Sequence, residues 1–450
     1  MDPSQIEHAL DRIRAALEAG QVQAAIDSLR ELHPVDRAAA FIELNDEEVA
    51  ALVPELSPRT TARLLSELEN QEAVNLAENL ATDRLAAALD KMEPDEAADV
   101  LGDLDPQRAT EVLAEMEAAQ GVLPLLPHPD KSAGGRMTTA FIAIPLGASS
   151  ATVIDLLRQL EPGSDAPYYL YVKDEAGRLV GVIGVRDLLV ASPDAKVESF
   201  MKPEVIFART SDDQEVVARM MARYHLAAIP VLDEQGVLQG VITHDDVLDV
   251  LEEEATEDLY RLANISSSDL SIDTPLGTSV RRRLPWLYLN ALTALFAAWV
   301  ISNFQALIAQ VALLAVFQSV VAGMGGNTAM QGLAVIVRAI ALGELEARRA
   351  WRTVVKEGAA GLLEGILVGV VVGVGVALWK GNPALGLILG LALIGNMLMA
   401  GLAGAFVPIG LKSLKLDPAL ASSVLVTTIT DSVGFGLFLG LAAAFLPLLQ

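Results

Sequence analysis

Two carboxylates, Glu364 and Asp431, stand in stretches of sequence that are otherwise almost free of charge. A carboxylate in the hydrocarbon of a bilayer costs about 2.5–3.5 kcal/mol, so each of them needs a partner or a role. Asp431 follows Val426-Thr427-Thr428-Ile429-Thr430, whose hydroxyl oxygens lie within about one helical turn of it. We therefore interpret Asp431 as facing a partner or a water-filled path. Glu364 lies close to a basic segment and can reach Lys356 or water, so we interpret it as structural.

Two glycine patterns accompany these acids. The segment Gly323-Met324-Gly325-Gly326-Asn327-Thr328 predicts a glycine-rich break in an apolar helix, where the glycines let backbones approach closely or unwind beside a polar cavity. A second pattern recurs at every fourth residue and predicts a close-packing helix face; its members are Gly361, Gly365, Gly369 and Gly373.

Several other chemistries lack the residues they require. The chain has no cysteine, and its five histidines show no metal-ligand spacing. A phosphate-binding loop of the G-x-x-x-x-G-K-[ST] type is absent, which argues against an ATP-driven pump. A membrane aspartyl protease would need a second aspartate in a G-x-G-D element, and none is present. We expect no enzymatic activity.

The elements that must position these residues follow from an uneven charge distribution. The 450 residues are 52% apolar, yet the formal net charge is −26. Residues 1–275 carry 52 acidic and 21 basic side chains, whereas residues 276–450 carry 6 and 11. This pattern is typical of an acidic soluble region joined to an apolar membrane region. It excludes an ordinary soluble enzyme and a nucleic-acid partner. The N-terminus does not resemble a signal peptide.

The apolar region is long enough for five membrane-spanning helices. The whole stretch between Arg283 and Arg338 contains no Asp, Glu, Lys or Arg, and it holds two spans because about 20 apolar residues suffice for one. The predicted helices are 284–305, 310–337, 353–378, 384–411 and 419–446. Basic residues cluster in loops that five spans place on one side, at Arg281–Arg283, at Arg348, Arg349, Arg352 and Lys356, and at Lys412 and Lys415. We therefore expect a cytoplasmic N-terminus and an extracytoplasmic C-terminus.

The acidic region contains two internal repeats. Apolar residues that close helical stretches recur at a constant short interval, at Leu32, Leu44, Leu56, Leu68, Leu80, Met92, Leu104 and Met116. Units this short must stack, which predicts an all-α superhelical domain over residues 1–130. The second repeat is longer and pairs residues at a constant offset, such as Asp174 with Asp233 and Gly181 with Gly240. Each copy predicts strand, turn, strand and helix, and Met137 and Met201 open the two copies. A few extra residues around Pro162–Pro167, inside the first copy, separate the registers of the two copies.

The second repeat resembles a tandem pair of CBS domains, an α/β regulatory module that often holds adenine nucleotides. The resemblance implies that Thr243 contacts ribose together with Asp246, while the first copy has Gly184 and Asp187. Asp187 can accept ribose hydrogen bonds, Arg186 can pair with phosphate and Tyr169 can stack on a base. ATP or another adenine nucleotide and a purely structural pair both remain open.

The order of these regions is similar to that of the MgtE family of magnesium channels. The same resemblance is carried by GGRMTT at 134–139, EATEDLYRL at 254–262, VAGMGGNTAMQ at 321–331 and DPALASSVLVTTITDSVGF at 417–435. It implies an N-domain at 1–130, CBS domains at 137–200 and 201–255, a connecting plug helix at 256–280 and a membrane domain at 281–450. It also implies a multi-pass homodimer in the cell (inner) membrane, with a Mg2+ pore on the two-fold axis lined by spans two and five.

The resemblance also implies the site residues. Those of the pore are Asp431, Thr427, Thr428, Ser423, Asn327, Gly325 and Gly326. Those of the cytoplasmic regulatory Mg2+ sites are Asp95, Asp99, Gly135, Asp213, Glu215, Asp246, Asp249, Glu254, Glu257 and Asp258. Mg2+ sheds water reluctantly, so paired carboxylates and neutral oxygens suit the hydrated ion.

The acidic segment suggests how the pore closes. Eight acids lie between Asp245 and Asp258, and their repulsion at low Mg2+ should hold the cytoplasmic domains apart. Mg2+ bridging them to Asp95 and Asp99 would then draw the domains together. Two alternatives remain. One is a cation carrier, proton-coupled through Glu364 and Asp431 or open to Mn2+ and Co2+. The other is a membrane-anchored nucleotide sensor that transports nothing.

Overall fold

The computed structural model describes residues 3–68, 70–160, 169–263, 265, 274–345, 350–419 and 422–449, and the chain divides into two units, Met1–Leu251 and Glu252–Gln450. Three parts of the sequence predictions lie outside the described residues. They are the basic residues Arg348 and Arg349, the extra residues around Pro162–Pro167 and the middle of the predicted connecting helix. The division into domains at the predicted boundaries remains a prediction.

The first part of unit one is helical. Its helices are α1 (Pro3–Glu18), α2 (Val22–Arg30), α3 (Pro34–Ile42), α4 (Asp46–Leu52), α5 (Pro58–Glu67), α6 (Asn70–Asn79), α7 (Thr82–Leu89), α8 (Pro94–Asp103), α9 (Pro106–Glu115) and α10 (Ala119–Val122). The first residues of α2 to α9 are evenly spaced, at the same interval as the apolar residues, which confirms the repeat. The side chains of Ser57 and Asp105 cap α5 and α9, each directly before a proline that opens the helix.

Alternate helices pack on one another, so the superhelix has two layers. α3 packs on α5, α5 on α7 and α7 on α9, while α6 packs on α8. Two arginines each reach back to a carbonyl group 28 residues earlier in the chain. Arg84 donates to the carbonyl oxygen of Leu56 at 3.1 Å, and Arg108, at the corresponding position two repeats later, donates to that of Leu80. These bonds satisfy carbonyl groups at helix ends, where the helix itself offers no donor.

Two three-stranded sheets follow in unit one. The elements are β1 (Ala143–Pro145), α11 (Ser150–Leu160), β2 (Tyr169–Lys173), β3 (Leu179–Gly184), α12 (Val185–Val190), β4 (Ala208–Arg209), α13 (Gln214–Tyr224), β5 (Ala228–Leu232), β6 (Leu238–Thr243) and α14 (His244–Leu262). In each sheet the first strand is parallel to the second and the second is antiparallel to the third. The predicted strand, turn, strand and helix of each copy are confirmed.

The segment that opens each copy packs on the other copy. A Cβ at Gly240 would lie 2.6 Å from Met137 Cγ, and a Cβ at Gly181 would lie 2.7 Å from Met201 Sδ. Thr138 pairs with Val241, and Lys202 pairs with Val182. In each copy, the absence of a side chain at the corresponding glycine leaves space for the methionine that opens the other copy. This exchange packs the two copies together.

Unit two contains the membrane helices. They are α15 (Leu276–Ser302), α16 (Gln305–Gln310), α17 (Leu313–Ala341), α18 (Ala350–Lys380), α19 (Pro383–Ser413), α20 (Ser422–Ala444) and α21 (Leu446–Leu449). Within the described residues, five of them, α15, α17, α18, α19 and α20, are long and apolar enough to span a bilayer. The five-helix membrane domain predicted from hydropathy is confirmed. α19 lies at its centre and packs on α17, α18 and α20.

Of the two predictions made from glycine patterns, the structure confirms one and contradicts the other. The ladder on α18 is a close-packing face, as predicted, because Cβ atoms at Gly361 and Gly369 would lie far inside van der Waals distance of carbonyl oxygens of α19. The predicted break at Gly323–Thr328 is wrong, since α17 is continuous through it. There the glycine allows close approach of a neighbouring side chain, as described below, and the helix keeps its backbone hydrogen bonds.

We expect alanine at Gly361 to destabilise the membrane domain by about 1–3 kcal/mol, the usual cost of overpacking. Its Cβ would meet the carbonyl oxygen of Met397, which is backbone and cannot rotate away. Gly375 on the same helix is the matched control, because a Cβ there meets nothing within 4 Å. Thermal denaturation of both variants in detergent, followed by gel filtration, measures the difference. Equal thermal midpoints for the two variants would contradict the packing argument.

Candidate functional site

Asp431 lies on α20 and is half-buried within one chain. Ser423 and Thr427 precede it at successive intervals of four residues and share its face of the helix. The hydroxyl of Thr427 donates to the carbonyl oxygen of Ser423 at 2.7 Å, and that of Thr428 donates to Val424 at 2.6 Å. These hydroxyl oxygens keep lone pairs that can accept bonds from the water around an ion. Thr430 is fully buried and lies on a different face.

The buried amide of Asn396 contacts both α17 and α20 and so shows which residues of the two helices lie at the same depth. The Nδ2 atom of Asn396 on α19 lies so close to Gly325 and Gly434 that a Cβ at either glycine would overlap it. These two glycines therefore lie at the same depth. As the second and fifth successive spans, α17 and α20 run in opposite directions. Asn327 and Asp431 are then displaced from that depth in the same direction, by about 3 and 4.5 Å.

Asn327 and Asp431 thus lie at nearly the same level on two adjacent helices. Asn327 is exposed within one chain, and Asp431 is only half-buried. Gly325 and Gly326 lie just before Asn327 in the same unbroken helix. The structure therefore brings Asn327, with Gly325 and Gly326, to the level of Asp431, whereas Thr427 and Ser423 lie about 6 and 12 Å further along α20. Asn396 is a residue that sequence reasoning missed. The available signal was that it is the only amide, hydroxyl or charged side chain between Pro383 and Leu411.

Glu364 is exposed on α18, and its carboxylate does not share the packing face of the glycine ladder. α18 packs along α19, whereas Asp431 is on α20. Nothing in the arrangement of the described helices brings the two carboxylates into one path.

The predicted regulatory residues Asp95 and Asp246 meet in unit one. Burial raises the pKa of Asp95 to about 7, and the negative charge of Asp246 adds to this effect, while a hydrogen bond from Thr138 opposes it. Burial also raises the pKa of Asp246, with smaller contributions from Asp245 and Asp249. Among the described residues, Asp95 Oδ1 is buried and finds no hydrogen-bond partner. Two poorly solvated carboxylates and an oxygen without a hydrogen bond suit a divalent cation.

Other predicted regulatory residues have partners of their own. Asp99 lines a cavity of about 100 Å³ with Glu96 and Asp103. The loop that contains Gly135 is held to the segment before α13, where Ala133 N donates to Asp212 O at 2.7 Å. The carboxylates of Asp213 and Glu215 stabilise the start of α13. Asp213 caps it by accepting from Glu215 N at 2.9 Å, and Glu215 pairs with Arg219 at 2.5 Å.

Helix α14 carries all eight acids of the segment, including Asp249, Glu254 and Asp258. Within unit two, Glu257 is nearly buried and forms an ion pair with Arg261. Arg261 also pairs with Asp417, in the loop before α20. Leu262 packs beside Leu333, Val337 and Ala419. The end of α14 is thereby attached to the loop that leads into the helix of Asp431. Across the described residues, no three histidine or acidic side chains converge on one point.

The predicted nucleotide residues fall at corresponding ends of the two sheets. Tyr169 is paired with Gly184 across β2 and β3, and Asp187 Oδ2 would lie 3.3 Å from a Cβ at Gly184. Arg186 beside it is exposed. Thr243 ends β6, where its hydroxyl donates to Asp246 Oδ2 at 2.7 Å. In the second sheet, the side chain of Thr243 fills the space beside Asp246. In the first sheet, Gly184 has no side chain, so the corresponding space beside Asp187 is left open.

Comparisons with known proteins cover the helical repeat, the two sheets and most of the membrane domain. The family described as "Divalent cation transporter" (MgtE) matches residues 318–441, the "MgtE intracellular N domain" matches 32–126, and the CBS domain matches 133–194 and 197–253. The magnesium transporter MgtE of Thermus thermophilus is 40% identical over 319 residues, which is 70% of this chain and 70% of that protein. The chain belongs to the MgtE family of magnesium transporters.

Further relatives agree with this membership. The magnesium transporter MgtE of Bacillus subtilis is 36% identical over 333 residues, 74% of each chain. A solved structure described as the cytosolic domain of the Mg2+ channel MgtE in complex with ATP is 36% identical, with a TM-score of 0.50. It covers 54% of this chain and 99% of its own. The predicted family, fold class and role in magnesium transport are therefore confirmed.

We expect the stability of the Asp95 environment to depend on pH. The folded protein holds the Asp95 proton more tightly than the unfolded chain does, because its pKa is raised from 3.8 to about 7. The stabilisation is full below the lower value and is lost as pH rises toward the upper one. In chelator, the thermal midpoint of a 1–270 fragment should therefore fall relative to that of Asp95→Asn as the pH rises from about 5 to about 7.5. A difference that stays constant with pH would argue against a buried, uncompensated carboxylate.

Proposed function

We propose that the protein is a Mg2+-selective channel that imports Mg2+ down its gradient and closes when Mg2+ binds its acidic cytoplasmic domains. The observation that carries the proposal is the common level of Asn327 and Asp431 on two adjacent helices, with neither side chain buried in the bundle core. In a homodimer with α17 and α20 at the two-fold axis, two carboxylates would face one another. Each would disfavour the charge of the other unless a divalent cation neutralised both.

The proposed pore suits a hydrated ion. Mg2+ keeps several of its waters, so the donors it meets in a pore are carboxylates, amide oxygens and hydroxyl oxygens at some distance. Asp431, Asn327 and the hydroxyls of Ser423, Thr427 and Thr428 are of these types. A monovalent cation would compensate only one of two facing carboxylates, which favours a divalent ion.

A cation carrier is the second candidate, and the position of Glu364 weighs against its proton-coupled form. A relay needs groups within hydrogen-bond reach or linked by water, and Glu364 is exposed on a helix that packs along α19. Transport of Mn2+ or Co2+ through the same pathway stays open under either mechanism.

Closure by Mg2+ is supported by the buried acids in unit one. Asp95 and Asp246 lie near each other and the pKa of each is raised, so a divalent cation that neutralised both would stabilise the arrangement that joins α8 to the start of α14. In unit two, the other end of α14 is held through Arg261 to Asp417, before the helix of Asp431. A change in the position of α14 would thereby act on the pore helix.

The remaining assignments follow from the family and the charge pattern. We propose adenine nucleotide binding, with ATP as the first candidate, at the Tyr169 and Asp187 end of the first sheet. The location is the cell (inner) membrane, with the N-terminus cytoplasmic and the C-terminus outside, as the basic loops indicate.

Asp431→Asn should reduce Mg2+ conduction at least about tenfold, equivalent to losing about 1.4 kcal/mol of ion stabilisation. The substitution keeps the side-chain volume and removes the charge from both subunits. Recordings in planar bilayers with Mg2+ as the sole permeant cation measure the current. Glu364→Gln is the matched control and should conduct like the parent, with no dependence on a proton gradient. Parent-like current from Asp431→Asn would show that selectivity lies elsewhere.

Mg2+ at millimolar concentration should protect the 1–270 fragment from proteolysis, because it bridges acids that otherwise repel one another. Sodium chloride at equal ionic strength should protect much less, since it only screens the charges. The double variant Asp95→Asn with Asp246→Asn should lose the specific effect of Mg2+. Equal protection by both salts would rule out the bridging mechanism.

A further inference from the structure

The side chain of Asn396 lies at the centre of the membrane domain. It is fully buried on α19, in a stretch from Pro383 to Leu411 with no other amide, hydroxyl or charged side chain. α19 is also the helix on which α17, α18 and α20 all pack. A polar group in this position lies where the helices that carry the proposed pore residues meet.

The amide of Asn396 fits a notch formed by two glycines on two different helices. Its Nδ2 donates to the carbonyl oxygen of Val321 on α17 at 2.9 Å. A Cβ at Gly434 on α20 would lie 2.6 Å from Nδ2, and one at Gly325 on α17 would lie closer still. Real Cβ atoms do not approach other atoms this closely, so each helix comes near α19 only because a glycine stands opposite the amide.

Packing by itself does not explain an amide here. Asn396 Oδ1 is buried, and no hydrogen-bond partner for it occurs among the described residues. A buried acceptor without a partner costs free energy that an apolar side chain would avoid. What the amide supplies, and an apolar side chain cannot, is a directional bond to the backbone of α17 at the contact with α20.

We propose that Asn396 is a positioning residue of the pore, which sets the spacing and rotation of α17 and α20. The inference rests on the proposed function, in which Asn327 and Asp431 on those two helices meet the ion. Both residues lie within about one helical turn of the glycines that touch the amide. The hydrogen bond to Val321 fixes α17, contact with Gly434 fixes α20, and the two pore side chains are held at one level without contacting Asn396.

The test is a cycle of substitutions in the full-length protein reconstituted in liposomes. Asn396→Ala removes the amide, Gly434→Ala pushes a methyl group against it, and the double variant combines them. Asn303→Ala is a matched control for the amide, because Asn303 is exposed and donates to Trp299 of the preceding helix at 2.8 Å. Gly440→Ala is the control for α20, because a Cβ there meets nothing within 4 Å.

Two quantities are measured for each variant: Mg2+ uptake per folded protein recovered from gel filtration, and the ratio of Mg2+ to Na+ permeability. We expect Asn396→Ala and Gly434→Ala each to lower the ratio about tenfold, a change within reach of one lost hydrogen bond to a rigid backbone. The double variant should regain at least about threefold in uptake over Gly434→Ala, since the new methyl group enters the space that the amide left. Both controls should match the parent.

A purely structural role would lower the amount of folded protein and leave the permeability ratio of the folded fraction unchanged. That result, or a double variant no better than Gly434→Ala, overturns the inference. If Asn396→Ala does not fold, the comparison of Gly434→Ala with Gly440→Ala decides, and equal ratios reject the proposal. Asp431→Asn runs alongside as a separate arm. Parent-like conduction there overturns the proposed pore, whereas loss there with parent-like Asn396→Ala overturns only the positioning role.

Discussion

Carboxylate charge without a basic partner is the constraint that connects the parts of this molecule. In unit one, Asp95 and Asp246 lie near each other, both half-buried, and the pKa of each is raised because partial burial disfavours the charged form. In unit two, Asp431 stands in an apolar helix, where an unpaired charge is costly. Among the described residues, the ion pairs include those of Arg261 with Glu257 and Asp417. Under the proposed function, a divalent cation would neutralise the carboxylates in both places.

The membrane domain meets this constraint with small residues. Glycines on α18 and α19 face one another so closely that backbone carbonyls of one helix occupy the space of absent side chains on the other. This contact makes α18 and α19 a firm pair, since van der Waals packing replaces the hydrophobic effect inside a bilayer. α17 and α20 also pack on α19, and at Asn396 a polar side chain takes the place of a close backbone contact.

In unit one, the tandem repeat packs two small three-stranded sheets against each other. Each copy of the repeat receives the methionine that opens the other, Met137 on Gly240 and Met201 on Gly181. The acids of α14 begin directly after β6, the last strand of the second sheet. The same helix ends beside Arg261, which pairs with Glu257 and Asp417 within unit two.

Local patterns in the sequence determined the number of spans, the short helical repeat of unit one, the two sheet modules and the close-packing face of α18. Each of these rests on periodicity or composition within a short window, where hydrophobicity and helix geometry act residue by residue. Tertiary structure decided three other features. These are the common level of Asn327 and Asp431, the proximity of Asp95 to Asp246, and the packing of each opening methionine on the other copy of the repeat. It also decided the outcome at Gly325, where sequence indicated a helix break and the structure shows a notch for Asn396 in a continuous helix. A glycine permits both conformations, and only the neighbour that packs against it, which is distant in the chain and lies on another helix, selects one.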